Sequence, residues 1–275
     1  MCRAAVEGGT PEFSTLVELS HRLTSGLVLI LVLAMAVWAF RAYERGSAVR
    51  FGAMAALIFT ITESLFGAVL VVYGWVAGDI STGRILIRPV HVTNTFFLLA
   101  ALALTPFWAS RGSARRPVLA GPTARLLILA TVGTLALAWT GAWTGLAATA
   151  FSADSLQEGL AQYLEPEHVL ITLRLLHPVL ALAVLLVLLR TASRLRIGSS
   201  DPVLRSLAAA LAILAVVQVL VGPLTIALGN PVWARLVHLL LADALWVALI
   251  LAGATALEPA TRALDGPRTH GVRSG

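Results

Sequence analysis

The stretch Glu18-Leu19-Ser20-His21-Arg22 leads directly into a long apolar segment, and it determines how the rest of the chain is interpreted. Ionisable side chains in or beside a membrane span are rare, and they usually have a function. Three further histidines stand near the ends of later apolar segments: His91, His177 and His238. The sequence therefore predicts four histidines at the mouths of four membrane helices.

The composition is that of an integral membrane protein. Hydrophobic residues make up 58% of the 275 residues and charged residues only 12%, against about a quarter in soluble proteins. Several apolar runs approach the roughly 20 residues that cross a bilayer as a helix. All 20 basic residues are arginines, and most lie between the apolar runs, which favours membrane topology over nucleic-acid binding. We expect an all-α, polytopic bundle with the lipid bilayer as its partner and no nucleic acid.

Hydropathy predicts seven transmembrane helices. Their approximate bounds are 14–40, 51–77, 89–109, 123–148, 168–190, 203–228 and 232–257. The connecting segments are rich in Gly, Pro, Ser or Arg, as loops usually are. The seven tryptophans lie mostly near span ends, and we interpret them as anchors at the membrane interface.

The distribution of arginine predicts the orientation of the chain. If the seven spans alternate, the arginine-rich segments all fall on one side: 41–50, 110–125, 190–205 and the C-terminal tail. The segment 149–167, on the other side, contains acidic residues and no basic one. The positive-inside rule places the arginine-rich side in the cytoplasm. We expect the plasma membrane of a prokaryote, with a cytoplasmic linker at 110–122 and a cytoplasmic tail at 258–275.

An internal repeat divides the chain. Residues 62–67 resemble residues 217–222 at an offset of 217 − 62 = 155 positions. This predicts two tandem copies of a four-helix unit, an N-terminal repeat at 1–109 and a C-terminal repeat at 123–257. The first helix of the second copy has no counterpart in the first copy. We therefore expect a further helix upstream of Met1.

Pairs of histidines are the candidate metal ligands. Two histidines on facing helices can ligate one haem iron axially, each through a neutral imidazole nitrogen. The repeat pairs His21 with His91 and His177 with His238, which predicts two haem sites. Each histidine could instead be interfacial or hydrogen-bonded, but four in repeat-equivalent places favour ligation.

The position three residues before each histidine shares its helix face. It is Arg88, Arg174 or Arg235 in three cases and Glu18 in the fourth. Each arginine could bind a haem propionate bidentately or extend to the lipid headgroups, and the deeper place of Arg174 favours the first. A carboxylate beside a haem ligand is a candidate for acid/base work, although an acid at a helix N-terminus is also favoured by the helix dipole.

The opening stretch resembles the Glu-x-x-His-Arg signature of the haem A synthase family. The resemblance continues in order over nearly the whole chain, through 65–68, His91, His177, 219–222 and His238. It implies an eight-helix membrane oxidoreductase that converts haem O to haem A for terminal oxidases, by oxidising a ring methyl group to a formyl group.

The resemblance also implies a role for each site residue. His21 and His91 would hold the substrate haem O with Glu18 as the catalytic acidic group, while His177 and His238 would hold a haem b that passes electrons. The candidates for contact with haem or its propionates are Arg22, Arg88, Arg174 and Arg235. An electron donor is implied as a partner, and haem O synthase and a second copy of the chain are left open as further partners.

Two other functions remain open from the residues alone. A di-haem cytochrome b that only transfers electrons also needs four histidines, but it has no need for Glu18 beside one of them. A small transporter could use the histidines and Glu63 as a proton relay, because Glu63 lies mid-span where the second repeat has the neutral Gln218.

Overall fold

The computed structural model describes residues 11–75, 79–111, 121–151 and 156–257. They form nine helices, which we number in chain order: α1 (Pro11–Ala42), α2 (Ala48–Val72), α3 (Thr82–Arg111), α4 (Gly121–Ala150), α5 (Leu156–Leu164), α6 (Val169–Leu173), α7 (Leu176–Ile197), α8 (Pro202–Ala227) and α9 (Val232–Ala256). Most of the predicted linker, residues 112–120, and the whole predicted tail, 258–275, lie outside the described residues.

Seven spans in the described chain are long and apolar enough to cross a membrane. They are α1, α2, α3, α4, α6 together with α7, α8 and α9. This confirms the predicted polytopic helical bundle. The short helix α5, which lies in the segment predicted as a loop at 149–167, was not predicted.

The helix α3 begins at Thr82, seven residues before the predicted span. The span predicted from hydropathy begins at Pro89. Because proline has no backbone N–H, the carbonyl of Ile85 lacks its helical partner. Trp143 of α4 supplies the replacement, because its indole nitrogen donates to that carbonyl at 3.0 Å. Membrane helices tolerate proline where neighbouring groups satisfy the freed backbone in this way. Trp143 therefore supports the helix that carries His91.

The predicted fifth span is broken into α6 and α7 at Arg174 and Leu175. Pro178 stands in the first turn of α7 and has no N–H to donate to the carbonyl of Arg174, four residues earlier. The chain therefore turns before Leu176 and restarts as a new helix. This break sets the position of His177, the second residue of α7.

The helices α2 and α8 end in the same way, 155 residues apart. Gly74 and Gly229 both adopt positive φ, at 67° and 79°, a conformation that glycine adopts without steric cost. Trp75 N–H donates to the carbonyl of Leu70 at 2.8 Å, and Asn230 N–H donates to that of Thr225 at 2.9 Å. The backbone turns that lead into α3 and α9 are therefore equivalent.

Helix packing places the histidine-bearing helices in contact. The helices α4, α7, α8 and α9 form one bundle, and α3 packs against both α4 and α9. The helix α2 packs on α3, and α1 packs on α2. Trp246 of α9 lies at the centre of the main apolar core and is 1% exposed, so its interpretation as an interfacial anchor was wrong.

Candidate haem site

His177 and His238 approach each other inside the C-terminal bundle. His177 begins α7, His238 lies in the second turn of α9, and both are half-buried. The structure thus places in one bundle the two histidines that the sequence pairs.

Two glycines leave room for these imidazole rings. A Cβ atom added at Gly141 of α4 would lie 3.1 Å from His177 Cε1, and one added at Gly222 of α8 would lie 3.4 Å from His238 Cε1. The first distance is tight, so a side chain at Gly141 would press on the His177 ring, whereas one at Gly222 would lie in contact with the His238 ring. The glycines allow the helices to approach the histidines closely.

The ring nitrogens of these histidines differ in their partners. Thr140 Oγ1 lies 3.1 Å from His177 Nδ1. His238 Nδ1 is buried without a hydrogen-bond partner, and Gln218 Nε2 lies 3.4 Å from His238 Nε2. Buried polar groups are normally satisfied. Neutral imidazoles of this kind have the donor chemistry that a haem iron takes from a protein.

His91 in the N-terminal half has a different environment. It is half-buried on α3, and its Nδ1 lies 3.2 Å from Glu63 Oε2 on α2. Phe66 packs against its ring edge-on, with 6.4 Å between ring centroids. A Cβ atom at Gly67, one turn from Glu63, would meet nothing within 4 Å. The space around Gly67 is therefore open.

His21 and Arg22 lie on an exposed stretch of α1. The helix packs on α2 through Val32, Ala36 and Ala39, further along the chain. Among the described residues, no contact joins His21 to His91. Glu18 lies within α1, but its side chain is outside the described part of the structure.

Arg88 and Arg235 lie close together where α3 and α9 pack. Their charges are near enough to interact, and Arg84 adds a third positive charge beside Arg88. Arg235 Nε is buried without a hydrogen-bond partner. In the part of the chain that the structure describes, no carboxylate pairs with Arg88 or Arg235. Unpaired cations in this arrangement suit an anionic ligand.

Arg174 has other partners. Its guanidinium donates to the carbonyl oxygens of Ala147 and Phe151 at 3.0 and 3.2 Å, and it lies over the Tyr163 ring at 5.8 Å. Arg174 therefore links the end of α4 to the break between α6 and α7. These contacts give Arg174 a structural role that the sequence pattern did not predict.

Asn94 and Thr95 are site residues that the sequence reasoning missed. Both donate hydrogen bonds to the Glu63 carboxylate, Asn94 Nδ2 at 2.7 Å. The repeat contains a signal for them, because the offset from His91 to His238, 238 − 91 = 147, places Leu241 and Ala242 at the equivalent positions. Polar residues replace apolar ones in one copy only.

The described residues contain no group of three or more His, Cys, Asp or Glu that could hold a bare metal ion. A haem iron differs from a bare ion because the porphyrin supplies four ligands, and the protein supplies only the axial ones. Pairs of histidines are therefore sufficient for haem.

Comparison with known proteins gives one family over most of the chain. Residues 7–250 match the COX15-CtaA family, described as cytochrome oxidase assembly protein. The chain is 41% identical over 265 residues to a protohaem IX farnesyltransferase of Thermus thermophilus, covering 96% of this chain and 44% of that protein. No solved structure matches.

Two haem A synthases are similar over shorter stretches. That of Geobacillus kaustophilus is 43% identical over 65 residues, covering 24% of this chain and 20% of that protein. That of an Exiguobacterium species is 26% identical over 143 residues, covering 52% of this chain and 45% of that protein. The chain spans less than half the length of these curated relatives.

Proposed function

Because the chain belongs to the COX15-CtaA family of cytochrome oxidase assembly proteins, we propose that it is a haem A synthase. It would oxidise a ring methyl group of haem O to a formyl group and so supply haem A for terminal oxidases. The similarity to proteins named haem A synthase supports this assignment. The multi-pass helical bundle provides the membrane setting that a lipid-soluble haem requires.

The observation that most supports the proposal is the placement of His177 and His238 in one bundle, each with a glycine of a neighbouring helix beside its ring. These two residues would hold a resident haem b. When bound, haem b supplies one-electron transfer. The protein contributes the ring positions, through Gly141 and Gly222, and the hydrogen bond of Thr140 to His177.

The substrate haem O would bind in the N-terminal half, between His21 and His91. Glu18 is the catalytic residue of the proposal, three residues before His21 on the same face of α1. Oxidation of a methyl group develops positive charge on its carbon. A preplaced carboxylate can stabilise that charge or accept the departing proton.

Arginines would hold the propionates of the two haems. Arg88 and Arg235 support this reading best, because they approach each other without a described carboxylate partner. Arg22 remains a candidate haem contact beside His21, and Arg174 a weaker one because of its carbonyl partners. A guanidinium matches the geometry of a carboxylate and binds it through two hydrogen bonds.

The partners follow from the same chemistry. The relative from Thermus thermophilus is named for farnesyl transfer to protohaem IX, and farnesylated protohaem is the class of substrate that a haem A synthase consumes. We propose a haem O synthase as the supplier of the substrate, together with an electron donor. A second copy of the chain is a further candidate partner.

The orientation belongs to the proposal as well. The arginine-rich connecting segments and the C-terminal tail would lie in the cytoplasm, on the inner side of the plasma membrane of a prokaryote. The histidines would then lie towards the outer side.

Analysis of extracted haem tests the proposed activity. The chain is co-expressed with a source of haem O in a host that makes no haem A, and the haems in the membranes are separated by chromatography. Haem A is expected. Membranes that contain only haem B and haem O would contradict the proposal, and two bound haems without haem A would indicate an electron-transferring cytochrome b.

A further inference from the structure

Glu63 is a carboxylate in the middle of the membrane helix α2, and polar side chains of α3 lie around it. Asn94 Nδ2 donates to its Oε2 at 2.7 Å, and Thr95 Oγ1 donates to its Oε1. His91 Nδ1 lies 3.2 Å from Oε2. Its side chain is 25% exposed. A carboxylate at this depth is costly unless it is satisfied; Asn94 and Thr95 donate to it here, and His91 Nδ1 lies beside it without hydrogen-bond geometry in the haem-free chain.

A second set of contacts fixes the orientation of Asn94. Its amide nitrogen also donates to the carbonyl of Phe59 at 2.8 Å. Thr62 Oγ1 donates to Asn94 Oδ1 at 2.7 Å. The oxygen of the amide is thereby held towards Thr62 and its nitrogen towards Glu63. The network therefore links α2 to α3 at Glu63.

The C-terminal copy of this arrangement lacks the carboxylate and its supports. Gln218 replaces Glu63, and Leu241 and Ala242 replace Asn94 and Thr95. The side-chain amide of Gln218 donates to the carbonyl of His238 at 3.0 Å. At this position the C-terminal half therefore has a neutral hydrogen-bond donor, Gln218, and the N-terminal half has an anionic acceptor, Glu63.

The comparison of the two halves separates packing from function. Because α8 packs on α9 with Gln218 at the position equivalent to Glu63, a neutral residue at this position is sufficient to hold the pair of helices. Four positions differ in a coordinated way, Thr62, Glu63, Asn94 and Thr95 against Val217, Gln218, Leu241 and Ala242. The polar network therefore serves His91 itself.

We propose that Glu63 is a positioning residue that accepts the Nδ1–H of His91 and so presents His91 Nε2 as the nitrogen for haem iron in the N-terminal half. The inference rests on the proposed function, since it takes His91 as a ligand of the substrate haem. A carboxylate that accepts from one imidazole nitrogen fixes the tautomer and makes the other nitrogen a stronger donor. The stronger donor favours the oxidised iron.

The consequence is a difference between the two haem sites. His91, with the Glu63 carboxylate 3.2 Å from its Nδ1, would stabilise ferric iron more than His238, which faces the amide of Gln218. The haem in the N-terminal half would therefore have the lower reduction potential of the two. The haem site with the lower reduction potential would therefore lie in the half of the chain that carries Glu18.

The experiment is an optical redox titration of the purified full chain loaded with both haems. Glu63→Gln keeps the shape of the side chain and copies the residue of the other half. We expect one of the two midpoint potentials to rise by about 59 mV or more. For a one-electron couple this is at least a tenfold change in the reduction equilibrium. The other potential should stay in place.

Two further variants distinguish positioning from a structural effect. Gln218→Glu, the reciprocal change, should lower the potential of the haem that Glu63→Gln leaves unchanged. Ser64→Val, the next residue on α2, replaces a side chain that bonds only to the carbonyl of Thr60 among the described groups and copies Val219, so it should leave both potentials unchanged.

The outcomes separate the inference from the proposed function. Two bound haems with both potentials unchanged in Glu63→Gln would overturn the role of Glu63 and leave the proposed function intact. His91→Ala should remove one of the two haems. Retention of both haems in His91→Ala would overturn the ligand assignment, and the role of Glu63 with it.

Discussion

Trp246 of α9 donates its indole N–H to the carbonyl of Phe96 of α3 at 2.6 Å, and the two rings stack with 5.1 Å between centroids. The residues are 150 positions apart; Phe96 lies five residues after His91 and Trp246 eight residues after His238 on the same helices. The contact joins the helices of His91 and His238. It fixes how the two candidate haem sites lie relative to each other.

The first prediction concerns the stability of this contact. Trp246→Ala removes a fully buried side chain from the core and should cost about 3–5 kcal/mol. Trp246→Phe keeps the stacking but leaves the hydrogen bond unmade, for about 1 kcal/mol. The apparent midpoint of thermal unfolding in detergent should therefore fall in the order wild type, Phe, Ala. Equal midpoints for the Phe and Ala variants would contradict the role of ring stacking.

The second prediction concerns the resident haem b. Replacing His177 or His238 with Ala should remove most of the low-spin bis-histidine spectrum from protein made without haem O, because each ring supplies one axial ligand. His168→Asn is the matched control, since His168 caps α6 through Leu170 N–H and an asparagine retains the cap. If the spectrum survives both alanine changes, the ligand assignment is wrong.

The third prediction concerns Arg88 and Arg235, which repel each other in the haem-free protein. Arg88→Leu or Arg235→Leu should leave the haem-free protein as stable or more stable, because one of two neighbouring like charges is removed. The same changes should weaken haem retention about tenfold, since a hydrogen bond to a charged group contributes about 1.5 kcal/mol.

Haem retention during dilution in detergent, together with thermal unfolding of haem-free protein, measures the two effects. Arg205→Leu, at the far end of the bundle near Pro202, is the control and should change neither. A loss of stability without loss of haem would show that Arg88 and Arg235 are structural.

The fourth prediction concerns orientation. Reporter fusions at Ser113, in the arginine-rich segment, should report the cytoplasm, and fusions at Ser155, in the acidic segment, should report the outside. A periplasmic signal from Ser113 would reverse the topology. The haem sites would then lie towards the inner side.

The number and order of the spans could be predicted from the sequence because membrane crossing depends mainly on apolar length. The start of α3 and the α6–α7 break could not be predicted in this way. Both depend on which carbonyl a proline leaves unpaired, and hydropathy does not detect that. Trp143 donates to the carbonyl that Pro89 leaves without a partner. Among the described contacts, no group donates to the carbonyl of Arg174 that Pro178 leaves without one.

The internal repeat made one part of the candidate site predictable from the sequence. His177 and His238 could be paired from spacing, and their joint ligation of haem stays a prediction; the structure places both in the C-terminal bundle. Asn94 and Thr95 depend on how α2 and α3 rotate against each other, which spacing alone does not give. The partnership of His21 with His91 stays a prediction, because α1 reaches α2 only beyond its exposed stretch.

The fifth prediction concerns Glu18, which separates an enzyme from an electron carrier. Glu18→Gln keeps the size and hydrogen bonding of the side chain but removes its charge. Removal of a group that stabilises charge in the transition state typically costs on the order of 10²-fold or more in rate. The variant should therefore bind two haems and accumulate haem O.

The most direct test of the account is the amount of haem A extracted from membranes that contain the wild-type chain or Glu18→Gln, each co-expressed with a source of haem O. The account predicts haem A from the wild type and at least 10²-fold less from the variant, with two haems retained in both. Haem A output from Glu18→Gln equal to that of the wild type would contradict the catalytic role of Glu18. Absence of haem A from wild-type membranes that hold haem O would contradict the proposed function itself.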